Sequence, residues 1–238
     1  MRLCKTIFEG TPEHAADAVA VRLADGFSPD AVGEAITLAA NQLVLRDAGR
    51  TGNQVQPGKP AGSVHGDSIG VHACDSANAW RNMARASNAR NTFACLILGG
   101  YQVAYDRVNR GGDFLHWSPR PLGADLDPIK ESDPQKLLSS LDAAIRAGDQ
   151  ARACAVAHRI GTLGHSSRPV FDLLLGYAIS EDGALHAEKY YRTVSEEFAS
   201  TRPAFRWRQL VALARVTASE FGRPAPGVAE ARERLKLS

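Results

Sequence analysis

Along most of the chain, apolar positions recur every three or four residues, the period of a helix with one buried face. Thr11-Pro12-Glu13 combines a capping hydroxyl, a proline suited to the first helical position and a first-turn acid, and the Ala/Val-rich run behind it stops near Gly26. Ser28-Pro29-Asp30 repeats that start, after which Val32, Ala35, Ile36, Ala39, Leu43 and Val44 mark one face. Residues 48–66 carry too much Gly and Pro for a regular element and read as a loop. Helices are predicted over 71–86 and 89–107, then a second loop, "NRGGDFLHWSPRPLGADLDP". Asp133-Pro134 opens another helix with Leu137, Leu138, Leu141, Ala144 and Ile145 on its apolar stripe, ending at Gly148. Further helices are expected near 150–163, 168–180, 184–199 and 203–221. No stretch alternates as a strand does, so the expected class is all-α, a helical bundle.

A shift of 138 residues lays 9–40 on 147–178, pairing Gly10 with Gly148, Gly26 with Gly164, Ser28 with Ser166 and Val32 with Val170. Beyond the loop, both halves enter a helix at the same dipeptide, His72-Ala73 and His186-Ala187. The expectation is therefore an internal duplication of a four-helix unit: 1–110 with a 48–70 loop insertion, a connecting loop at 111–132, and 133–238, packed as one domain.

Composition narrows the function classes. With 28 Lys+Arg against 26 Asp+Glu the net charge is +2, too small to argue for nucleic acid or a membrane surface. The start "MRLCKTIFEG" has no apolar signal-peptide run, and Phe93 to Tyr105 is too short and interrupted to span a bilayer, so a soluble, cytoplasmic protein is expected. Cys4, Cys74, Cys95 and Cys154 are scattered and read as buried reduced thiols. Neither GxxxxGK[ST] nor GxGxxG occurs, so no nucleotide cofactor is expected, and HExxH is missing too. "GHSSR" at 164–168 lacks the second glycine and the strand of a nucleophile elbow. "TRPAFRWRQL" at 201–210 suits an anion or a planar stacked substrate, but reads first as a helix start with Phe205 or Trp207 inward and the arginines in water.

Candidate chemistry gathers in "SVHGDSIGVHACDSANAWRN", residues 63–82. His65 precedes His72 by seven residues, and Asp75 follows His72 by three, on the same helix face. His186 stands where the duplication places a second His72, with Lys189 three residues on, and His165 follows the Gly164 helix stop. Histidines with carboxylates and no thiolates suit non-haem iron or another borderline divalent metal. The metal candidates are His65, His72, His165, His186 and Lys189, the last only as a carbamate or with a depressed pKa. Asp67, Asp75, Asn78 and Arg81 are the catalytic candidates, orienting substrate or accepting the far N–H of a metal-bound imidazole, with Trp80 and Tyr190 as pocket walls. His14, His116 and His158 read as ordinary surface or hydrogen-bonded histidines.

The segments "HGDSIGVHA" and "LHAEK" resemble the questin oxidase-like proteins. That resemblance implies a helical oxygenase acting on aromatic polyketides, with one iron held by His65, His72, His186 and a carboxylated Lys189, and His165 as a further histidine. The expected function is thus a mononuclear iron oxygenase with a small-molecule substrate; a homo-oligomer is compatible with it. The rival is a non-catalytic helical module that binds a partner protein or an apolar ligand, its histidines and aspartates serving as caps and interhelical bonds.

Overall fold

Side-chain caps set several helix starts where the sequence places them. Thr11 Oγ1 accepts from His14 N and Ser28 Oγ from Ala31 N, both at 3.2 Å, and Asp133 Oδ1 accepts from Lys136 N at 2.9 Å, each with proline next in the chain. The computed structural model describes residues 1–57, 59–64, 68–109, 111–181 and 186–236. Among them lie α1 (Arg2–Glu9), α2 (Pro12–Ala24), α3 (Pro29–Arg46), α4 (Ile69–Ala86), α5 (Ala89–Asn109) and α6 (Gly123–Leu126). These are followed by α7 (Pro134–Arg146), α8 (Gln150–Thr162), α9 (Arg168–Ser180), α10 (Ala187–Ser200), α11 (Pro203–Glu220) and α12 (Val228–Leu235). No strand occurs among the described residues, and the fold is all-α. None of their helices is long and apolar enough to cross a membrane.

Three helices escape the sequence pattern for local reasons. Helix α6 is a single turn, and α1 spans eight residues from Met1, which makes no side-chain cap. Helix α12 follows Gly227, whose φ is 81°; it has no side-chain cap bond and buries no residue. Neither α1 nor α12 has a side-chain cap to mark its start, although α1 buries Cys4, Ile7 and Phe8 at helical spacing.

The chain forms two compact units that interleave along the sequence. One comprises Met1–Ala48, Ser68–Pro119 and Thr193–Gln209; the other comprises Gly49–Asp67, Arg120–Arg192 and Leu210–Ser238. This differs from sequential halves joined at 111–132. Helices α10 and α11 each divide between the units, because burial selects neighbours in space and not in chain order.

In the first unit α3 packs on α1, α4 and α5, and α2 on α5. The predicted stripe of α3 is only part of what it buries: Thr37, Leu38, Ala40, Asn41 and Leu45 are inside as well. Asn41 Nδ2 donates to the Arg208 carbonyl and to Gln209 Oε1, each at 3.2 Å, which satisfies a polar group that an apolar stripe does not anticipate. Helices α3 and α4 approach closely at Gly70, where a Cβ would stand 2.5 Å from Val44 N.

In the second unit α8 packs on α6 and α7 and buries Ala153, Cys154, Val156, Ala157 and Ile160. The segment at 49–64 belongs to this unit and is tied down by Gln150 Nε2, which donates to the Gly62 carbonyl at 2.9 Å. Tyr177 donates to Asp142 at 2.5 Å. None of the four cysteines forms a disulfide. Burial pushes the Cys154 thiol up to about 12 and the Cys4 thiol up to about 11, so neither is a thiolate at neutral pH.

Candidate functional site

Helix α4 turns one polar face inward. Asp75, Asn78 and Arg81 lie three residues apart, so they fall on one side, and all three are buried. Their partners come from the Thr193–Ser200 part of α10 within the same unit. Thr193 Oγ1 donates to Asp75 Oδ1 at 2.7 Å, and Asn78 Nδ2 donates to Glu197 Oε1 at 3.0 Å. Arg81 Nη1 meets Glu197 Oε2 at 2.6 Å, while its Nη2 reaches the carbonyls of Asp30 and Ser200 at 3.4 and 3.3 Å. Asn82 Nδ2 extends the seam to Glu196 Oε2 at 2.8 Å. Gly33 makes room for it: a Cβ there would sit 3.0–3.1 Å from the Arg81 Nε, Cδ and Cγ atoms.

The seam continues into a second pair. Glu34, only 4% exposed, takes Arg202 N at 2.9 Å, Arg202 Nε at 2.8 Å and Arg202 Nη2 at 2.6 Å. Burial pushes the Glu34 carboxyl up, but the Arg202 hydrogen bonds and the charges of Arg202 and Arg81 outweigh it and hold the group below its ordinary value. Three of the expected catalytic residues, Asp75, Asn78 and Arg81, thus serve as interhelical fasteners.

The other candidates fall elsewhere. His72 is half-buried on α4, in the first unit, one turn before Asp75. His165, His186 and Lys189 belong to the second unit. The His165 Nε2 donates to the Ser132 carbonyl at 2.9 Å, linking the end of α8 to the segment before α7. His186 is half-buried just before α10, where its carbonyl accepts from Tyr190 N at 2.8 Å, and Lys189 is exposed. Trp80 packs beside Gly99 on α5, and Tyr190 is fully buried in the second unit. His65 and Asp67 lie outside the described residues. Among the described residues no three His, Cys, Asp or Glu side chains are grouped to hold a metal, so no catalytic step is derived through one.

Sequence reasoning missed Glu34, Thr193, Glu196, Glu197 and Arg202. One signal was available: Thr193, Glu196, Glu197 and Ser200 recur at helical spacing beside Val194 and Phe198, so that α10 has a polar stripe as regular as its apolar one.

Beside this seam lies a cavity of about 600 Å³, within the range of small-molecule sites. Its walls come from the first unit alone: Leu3 and Cys4 of α1, Val32, Ala35 and Leu38 of α3, and Phe27 in the turn between α2 and α3. Phe27 is 54% exposed, a large apolar side chain left in water at the edge of an apolar hollow. Arg2, Arg22 and Arg202 also line it, as do Asp30 and Ser200, the two residues whose carbonyls hold Arg81.

Comparison with models of protein families, with curated proteins and with solved structures finds no match to the chain.

Proposed function

We propose that this protein is a helical binding module whose first unit takes a small apolar molecule into the cavity between α1 and α3. The observation that carries this reading is the cavity: about 600 Å³, walled by Leu3, Val32, Ala35 and Leu38, with Phe27 exposed at its edge. The seam favours binding over catalysis, because Asp75 Oδ1, Asn78 Nδ2 and the Arg81 Nη atoms are held by Thr193, Glu197 and backbone carbonyls. The buried polar seam instead gives the cavity a stiff wall through Asp30 and Ser200.

Nile red, a neutral apolar dye, tests the reading. One molecule should bind per chain with a blue-shifted emission, and Ala35→Phe, which fills the cavity, should abolish binding without loss of helicity. A dye that does not bind, or binds the filled variant equally, overturns the proposal.

We also propose a cytoplasmic location, which four cysteines outside any disulfide support. The duplication is supported by α2 and α8, whose bounds coincide under the 138-residue shift, and is weakened by α9, which is five residues shorter than α3. The metal-dependent oxygenase is the second proposal; it draws on the two histidine segments and is tested by elemental analysis.

A further inference from the structure

The charged side chains around the α1–α3 cavity pair off, except that of Arg2. Arg22 Nη1 sits 2.8 Å from Asp25, Arg85 reaches Asp30 Oδ1 at 3.1 Å, Arg202 closes on Glu34 and Arg81 on Glu197. Arg2 lines the cavity, is exposed, and its guanidinium enters no ion pair among the described residues. The mouth of an apolar hollow therefore carries positive charge, with Arg2 outside every ion pair among the described residues. Arg22 adds to it on demand, since its pair with Asp25 has side chains 39% and 46% exposed, and such surface pairs are weak enough to exchange partners.

We infer that the ligand of this cavity is a monoanionic organic acid with an apolar body, its carboxylate set against Arg2 and its body against Val32, Ala35 and Leu38. This rests on the binding function proposed above. A positive mouth on an apolar hollow suits an anionic head on an apolar body. The planar fork of a guanidinium also meets the two oxygens of a carboxylate in parallel. A neutral ligand would leave the mouth charge unanswered, and an ammonium would be repelled by it.

The experiment is isothermal titration of the full chain with dodecanoate, dodecan-1-ol, dodecyl phosphate and dodecyltrimethylammonium, all below their micelle concentrations. Dodecanoate should bind about tenfold more tightly than the alcohol, and more tightly than the phosphate or the ammonium. Arg2→Ala should bring acid and alcohol within about twofold while leaving helicity unchanged, because the side chain is exposed; Ala35→Phe should abolish both. Acid and alcohol binding equally, both lost in Ala35→Phe, would keep the binding function and overturn the acid. Tighter binding of dodecyl phosphate overturns the monoanion. Binding of dodecanoate that survives Ala35→Phe places the acid outside the cavity and overturns the inference, and no binding by any probe removes the function it rests on.

Discussion

Arg81 and Glu197 meet at 2.6 Å with their side chains only 3% and 2% exposed, bringing two residues 116 positions apart into one buried ion pair. Taking two charges out of water is costly, and the pair holds because both carboxylate oxygens are engaged, one by Arg81 and one by Asn78.

Removing one member of that pair strands the other. Arg81→Met and Glu197→Leu should each destabilise the first unit by about 3–5 kcal/mol, and the double variant should lose clearly less than the sum. Urea unfolding followed by circular dichroism measures the cycle. Additive losses would show that the two side chains do not stabilise each other.

Glu34 makes stability depend on acid. Its folded pKa lies below the ordinary value, so the folded state favours the carboxylate. That contribution is present above the unfolded pKa, near 4.3, and is lost as pH falls through the lower folded value. Arg202 is 65% exposed in its side chain, so the effect should be modest, about 1 kcal/mol. At neutral pH Glu34→Gln should unfold at lower urea than the parent, and the difference should shrink toward zero below about pH 4. A difference unchanged across that range would count against the pair.

Gly70 marks the tightest approach of α3 and α4. A methyl group there meets Val44 N at 2.5 Å and Val44 Cα at 2.7 Å, and backbone cannot swing aside as a flexible side chain can. Gly70→Ala should cost about 1–3 kcal/mol despite the better helix propensity of alanine, and lower the melting temperature by several degrees. At Gly176, where a Cβ meets nothing within 4 Å, the same substitution should leave stability unchanged or improve it.

Elemental analysis decides the oxygenase proposal. If it holds, freshly purified protein carries about one iron or manganese per chain, and His72→Ala and His186→Ala each lose it with helicity intact. Equal metal content in parent and variants would remove the proposal.

Local order was legible in the sequence because it is written in neighbouring residues. Thr11, Ser28 and Asp133 announce their helices since a cap needs only an oxygen and an amide three residues on, and the apolar period of α3 and α7 needs only the turn of the helix. The concentration of polar side chains at 63–82 was equally visible, as was its demand for a polar environment. What answered that demand was not. Asp75, Asn78 and Arg81 suit a metal site's surroundings and an interhelical seam alike, and the choice between them lies with Thr193 and Glu197, more than a hundred residues away. Only the tertiary structure decides such a pairing, because a buried charge takes whichever partner packing brings to it, and no spacing along the chain encodes that distance. The cavity is likewise a property of the assembled unit. Leu3, Phe27 and Leu38 read as ordinary apolar positions, and only the way α1 settles against α3 leaves space between them.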